Sequence, residues 1–222
     1  MRLRSGARPI ATRFSGRPPR KIRLGDVPGE AREALRLGIE ALEEAGATAW
    51  ITYGTLLGLV REGRLLPHDN DIDIAVMPVV DDGPIRAAMA ARGLTLLLDE
   101  ADSSGTSKLK FVHGAVVLDL FFVRHEGGCW ADYCTLMKLS LLRSTHPPIA
   151  LETKVFDGLA LPVPRNAEAY LAHLYGPGWR QTVTRWNWYL SPPNAEMIVH
   201  WAELPRLAER IWRWKHPRRS RA

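Results

Sequence analysis

Residues 71–77 read Asp-Ile-Asp-Ile-Ala-Val-Met, and this alternation constrains the fold more than any other stretch. Carboxylate and isoleucine alternate with period two, the period of a β-strand. Built as a strand, the segment sends Asp71 and Asp73 to one face and Ile72 and Ile74 to the other. The isoleucine face needs a core. The aspartate face holds two like charges side by side, and each raises the pKa of the other unless a cation neutralises them. A D-x-D pair taken alone is a weak signal, and a solvated acidic turn over 69–73 is the competing reading. A calcium loop is excluded, because Ile74 stands where glycine is required and Val80 where glutamate is required.

The rest of the chain supplies a setting for this strand. Ala31, Leu35, Ile39 and Leu42 recur at helical spacing, and Gly46 supplies the stop. A short strand follows at 49–53, and a short helix at 56–60 ends at Gly63. Asp82 and Pro84 open a helix that runs to about Arg92, with Asp82 as its N-cap. Strands are expected at 94–98, 108–112 and 116–123, and a hairpin turning at Asp157-Gly158. Asn166 caps a helix reaching about Leu174. A last helix is expected from Pro193 to Trp214, kinked at Pro205. Residues 129–148 carry no clear pattern. Interleaved strands and helices predict an α+β (mixed α/β) class, with a central mixed sheet flanked by helices.

The chain has 222 residues, which suits one domain of 26–190 with a helix and tail at 191–222. Its net charge of +6 is unevenly spread. Residues 1–25 hold eight Arg or Lys and no acid, and 204–222 hold seven against one Glu. The middle carries fifteen basic against twenty-three acidic residues. Basic ends on an acidic domain argue against the groove of a specific nucleic-acid binder. The composition of 1–25 predicts a disordered arm. Two cysteines are too few for a disulfide framework, and no run of about 18 apolar residues occurs, so the expected location is cytoplasmic.

Two further features raise the aspartate pair above a polar turn. Asp119 is a lone carboxylate inside Val-Val-Leu-Asp-Leu-Phe-Phe-Val, where burial is costly without a partner. If its strand neighbours the first, Asp119 joins Asp71 and Asp73 as a third ligand, with Asp69 as a further ligand or a supporting group. Upstream, Gly54-Thr55 follows a strand and opens a helix, a place where backbone N–H groups can cradle phosphate. Magnesium takes one or two carboxylates plus phosphate oxygens, so the expected cofactor is Mg²⁺ or Mn²⁺.

Gly54-Thr55-Leu56-Leu57-Gly58-Leu59-Val60-Arg61 and Leu66-Pro67-His68-Asp69-Asn70-Asp71-Ile72-Asp73-Ile74 resemble the LicD/fukutin-related family of the nucleotidyltransferase superfamily. That family typically shows G-T-L-L-G-x-x-R and P-W-D-x-D-x-D segments; His68 stands at the tryptophan position. Leu118-Asp119-Leu120-Phe121 resembles its third-carboxylate strand, and Phe156-Asp157-Gly158, Tyr170-Leu171, Tyr175-Gly176 and Trp179 resemble its C-terminal signature. The resemblance covers roughly 30–190 and implies a nucleotidyltransferase fold. It implies transfer of a phospho-substituent, such as phosphocholine or a polyol phosphate, from a CDP- or other NDP-linked donor. The implied acceptor is a hydroxyl of a glycan or lipid-linked glycan, and Asp119 would complete the site by metal ligation or by taking the acceptor's proton. The alternatives are transfer of NMP from NTP to a small molecule or protein, and a nucleotide-binding homologue without chemistry.

Arg61 is a candidate contact to donor phosphates, against a solvated helix-end arginine. Lys108 and Lys110 lie two apart and share a strand face that can point at phosphate, against a solvent-facing edge. His113, His125, Cys129 and Cys134 lack zinc-knuckle spacing. Leu204, Leu207, Ile211 and Trp214 fall on one helical face among basic residues, extended by Arg218, Arg219 and Arg221. Such a helix packs on its domain or lies on an anionic membrane. The second option would place the protein peripherally at the inner face of a membrane through 204–222.

Overall fold

A computed structural model describes residues 11–16, 19–102, 104–137, 139–183 and 186–215. The alternating segment is a strand inside a six-stranded sheet. In chain order this sheet comprises β1 (Ala11–Phe14), β2 (Ala49–Ile51), β3 (Asp71–Val76), β4 (Thr95–Asp102), β5 (Gly105–His113) and β6 (Val116–Phe122). The spatial order is β1-β4-β5-β6-β3-β2. β3 and β6 are parallel, and every other neighbouring pair is antiparallel. The expected mixed sheet is therefore present.

The isoleucine face is the packed one. Ile72, Ile74, Leu118, Leu120, Leu109 and Phe111 are all buried. Each such side chain contributes roughly 1.5–3 kcal/mol relative to an exposed one. α1 (Pro28–Glu44) lies on this face and also against α3 (Gly83–Ala91). The expected stripe Ala31, Leu35, Ile39 and Leu42 is its buried side. Gly38 makes the approach close, since a Cβ there would run into the Leu118 side chain. α2 (Tyr53–Glu62) follows β2 and ends at Gly63, whose φ of 70° suits glycine.

Residues 129–148, unreadable by pattern, build a second sheet. β7 (Arg124–Glu126), β8 (Cys129–Met137), β9 (Ser140–His146) and β12 (Ala195–Ile198) form four antiparallel strands in the order β12-β9-β8-β7. β8 lies against β5 and β6. β10 (Leu151–Phe156) and β11 (Leu159–Pro164) form the expected hairpin, with Asp157 and Gly158 both at positive φ as a type I′ turn requires. Asn166 caps α4 (Ala167–Tyr175) by accepting from the Ala169 amide at 3.2 Å.

Three expectations need correction. Ala11–Phe14 was expected within an unstructured arm but is the edge strand β1, because the open side of β4 offers it a ladder; residues 1–10 and 17–18 of that arm lie outside the described residues. The last helix does not begin near Pro193. Ala195–Ile198 pairs with the edge of β9, and α5 (Leu204–Lys215) starts eleven residues after Pro193. Pro205 then sits in the first helical turn, where its missing N–H costs nothing, and makes no kink. Asp82 occupies the N-cap position of α3 but caps nothing through its side chain. Its carboxylate instead accepts from Arg86 at 2.8 Å and from the Thr106 hydroxyl at 2.5 Å.

α5 docks on the second sheet through Leu207, beside Leu136, Leu142, Met197 and Val199. Trp201, Leu204 and Trp212 face outward. Arg218, Arg219 and Arg221 lie outside the described residues. Among the described residues no helix is long and apolar enough to cross a membrane.

Candidate active site

Strand register assembles the site. Asp73 lies opposite Asp119 across the parallel β3–β6 pair. Asp119 lies opposite Lys110 across β6–β5, and Lys108 lies opposite Glu100 across β5–β4. Partners in register share a sheet face, and so do residues two apart. Asp71, Asp73, Asp119, Lys108, Lys110 and Glu100 thus project from one face, opposite the packed isoleucines. They line a cavity of about 630 Å³ whose other wall is the second sheet.

Asp71, Asp73 and Asp119 each present an oxygen within 4.8 Å of the others. Asp73 is held from three sides. The Thr55 hydroxyl accepts from its backbone amide at 2.8 Å, the Gly54 amide donates to its Oδ2 at 3.1 Å, and the Thr52 amide donates to its carbonyl at 3.2 Å. The Gly54 amide and the Thr55 hydroxyl are therefore engaged with Asp73. Thr55 is buried, while Gly54 lines the cavity. No side chain fits at Gly54, since a Cβ would collide with the Asp69 carboxylate. Tyr53, just before it, has φ of 43°. This conformation costs a bulky residue roughly 1–3 kcal/mol and persists only where neighbours impose it.

The charges are unbalanced. Asp119 is buried, which alone would raise its pKa, but Lys108 Nζ at 2.5 Å and Lys110 Nζ at 3.0 Å hold it below the usual carboxylate range. This overturns the solvent-facing edge for Lys108 and Lys110, because β5 is an interior strand. Asp119 Oδ1 pairs with Lys110 by charge but accepts no aligned hydrogen bond. Among the described residues nothing comparable neutralises the other carboxylates. Burial, then Asp119 and Asp69, push Asp71 up to about 7. Burial, then Asp71, push Asp73 well above the ordinary value, and burial raises Asp69 as well. A converging set of oxygen ligands, short of positive charge, fits a hard divalent cation such as Mg²⁺ or Mn²⁺.

A pH dependence follows for the metal-free protein. Folding raises the pKa of Asp71, so its stabilising contribution is complete below the unfolded value near 4 and is lost as pH rises through about 7. Melting in EDTA should show a falling Tm across that window, a slope reduced in Asp71→Asn and removed by saturating Mg²⁺. A wild-type Tm in EDTA that tracks the variant's at every pH would contradict it.

Arg61 sits elsewhere. It pairs with Glu62 at 2.9 Å and lines an adjoining cavity of about 230 Å³ together with His68, Asp69 and Trp179. Among the described residues His113, His125, Cys129 and Cys134 do not converge; the set that does is the three aspartates. The cavity also holds residues that pattern reading passed over: Lys21, Tyr53, Asp132, Trp186 and Trp188. Asp132 carried a single clue, as a carboxylate flanked by Ala131 and Tyr133 in a largely apolar run.

Residues 46–166, more than half of the chain, match the family described as LicD/FKTN/FKRP, nucleotidyltransferase domain. The chain belongs to this family. The mouse ribitol-5-phosphate transferase FKTN is 27% identical over 174 residues, covering 77% of this chain and 38% of the relative. The human protein is 27% identical over 173 residues, with the same coverage. The human ribitol 5-phosphate transferase FKRP is 40% identical over 45 residues, or 20% of this chain and 9% of its own. The chain thus spans less than two-fifths of the length of the FKTN relatives. Among solved structures, the antibiotic-resistance factor ANT(2'')-Ia is 17% identical, with a TM-score of 0.40 over 59% of this chain and 63% of that one.

Proposed function

We propose that this LicD-family chain is a metal-dependent transferase. It moves a phospho-substituent, of the phosphocholine or polyol-phosphate kind, from a CDP- or NDP-linked donor to a glycan or glycolipid hydroxyl. The observation that carries this is the convergence of Asp71, Asp73 and Asp119 on one cavity wall, short of positive charge, in a family whose curated relatives transfer ribitol phosphate. In the reaction, the acceptor oxygen bonds to the phosphorus distal to the nucleoside. The bond from that phosphorus to the bridging oxygen breaks, nucleoside monophosphate leaves, and the hydroxyl releases its proton. Such transfers depend on positioning and charge neutralisation more than on covalent help from the protein.

Asp71, Asp73 and Asp119 are the proposed metal ligands, with Asp69 beside them. When bound, a divalent cation supplies neutralisation of phosphate charge and a fixed orientation for its oxygens. Asp119 serves as ligand rather than as base, because its lysines hold it ionised and a base needs a pKa near the working pH. Lys108 and Lys110 face the cavity and balance Asp119 there, next to where the donor phosphates would lie. Arg61 lines the adjoining cavity, which shares Gly54 and Asp69 with the main one, and would meet donor phosphates that extend into it.

The test is a donor screen with Mg²⁺ present and absent. Release of CMP from CDP-ribitol, CDP-glycerol or CDP-choline, dependent on the metal, is expected. Pyrophosphate release from an NTP with no CMP release from any CDP-alcohol would replace this reading with NMP transfer.

A further inference from the structure

We infer that the buried pair Asp132–His146 on the second sheet positions the metal-binding aspartates, acting through Tyr53. The inference rests on the metal-site reading of Asp71 and Asp73.

The hydrogen bonds form one continuous chain. The Tyr170 hydroxyl meets Trp50 Nε1 at 3.1 Å, Thr52 Oγ1 at 3.0 Å and His146 Nδ1 at 2.7 Å. His146 Nε2 meets Asp132 Oδ2 at 2.7 Å, and the Tyr53 phenol donates to that same oxygen. Thr52, Asp132, His146 and Tyr170 are all buried. With His146 neutral, one direction of donation satisfies every group. An indole N–H can only donate, so the Tyr170 oxygen accepts from Trp50. The Tyr170 proton then goes to His146 Nδ1, and His146 Nε2–H and the Tyr53 phenol both donate to Asp132. Burial and the adjacent Asp132 keep the Tyr53 phenol protonated, which suits its role as donor.

The far end of this chain is the backbone that holds Asp73. Tyr53 stands between Thr52, whose hydroxyl is in the network and whose amide donates to the Asp73 carbonyl, and Gly54, whose amide donates to Asp73 Oδ2. Its φ of 43° is unfavourable for an aromatic residue, so something must impose it. The phenol is pinned by Asp132, and the ring packs edge-on against Phe121 at 5.0 Å and His146 at 5.9 Å. With the phenol released, the backbone relaxes toward negative φ and the Gly54 amide turns away from Asp73. Supporting contacts of this kind orient metal ligands without touching the metal. Tyr53, Asp132 and His146 are positioning residues in this sense.

The experiment uses the full chain with Mn²⁺ alone as probe, titrated by electron paramagnetic resonance, beside thermal melts in EDTA. Tyr53→Phe keeps the ring and removes only the phenol. Asp132→Ala removes the acceptor itself and supplies a second variant should Tyr53→Phe fail to fold. Each is expected to weaken Mn²⁺ binding by about 10- to 100-fold in the folded protein. The metal-free Tm of Tyr53→Phe should fall modestly, since buried Asp132 loses one of its donors, while the variant stays folded. Wild-type binding with unchanged affinity in the folded variants overturns the positioning role alone. Wild-type protein that binds no Mn²⁺ overturns the metal-site reading, and this inference with it.

Discussion

Asp71→Asn and Asp73→Asn should each abolish Mg²⁺-dependent transfer while leaving the sheet folded. Both residues sit at the cavity on β3, and their backbones stay in the ladder with β6. Asparagine keeps shape and one acceptor oxygen, so the Gly54 amide retains a partner at position 73. What is lost is negative charge where a cation must be held. A deficit of several kcal/mol in charge stabilisation corresponds to a rate loss on the order of 10³-fold or more, at about 1.4 kcal/mol per tenfold. The metal-free Tm should hold or rise, because burial and mutual repulsion raise both pKa values in the wild type. Metal-dependent CMP release and melting in EDTA are the measurements. Turnover near the wild-type level in either variant would remove the aspartates from the mechanism.

Gly54→Ala is the second large effect. A methyl group at this position overlaps the Asp69 carboxylate and comes within 3.4 Å of Asp73 Oδ2. The Asp69 carboxylate is tied at Oδ1, which accepts the Asn70 amide at 3.0 Å, so making room for the methyl strains that bond. The added atom therefore moves a carboxylate at the proposed metal site. Overpacking of this kind costs about 1–3 kcal/mol of stability. A shift near 1 Å in a reacting site costs on the order of 10²-fold in rate. Steady-state rates and Mn²⁺ affinity, read on the folded fraction, check this. A variant that binds Mn²⁺ as wild type does would show that Gly54 serves packing alone.

Both predictions start from motifs visible without a structure, yet the structure changes what the motifs mean. Gly54-Thr55 reads as a phosphate cradle by its place after a strand. In the fold, its amide and hydroxyl are engaged with Asp73. Lys108 and Lys110 read as an edge pair or a phosphate contact. In the fold they bracket Asp119, because β5 pairs with β6 in the register that sets Lys110 opposite Asp119. The site's second wall, with Asp132 and His146, had no hydrophobic alternation to read. Burial alternates along much of β8 and β9, but the buried positions include Asp132, Ser144 and His146 beside apolar residues.

Features that depend on neighbours in the chain were determined by the amino-acid sequence alone. The alternation put Asp71 and Asp73 on one face, the apolar run around Asp119 marked it as a carboxylate in need of a partner, and Asp157-Gly158 and Asn166 set their turn and cap. Each is a matter of φ/ψ preference or side-chain period within a few residues. Only the tertiary structure decided which strands lie side by side and in what register. That choice joined Asp119 to Asp73, gave β9 the edge that drew Ala195–Ile198 out of a helix, and tied Tyr53 to the second sheet. Pairing of this kind is fixed by burial and hydrogen-bond satisfaction across long separations, and a local pattern carries no record of its partner.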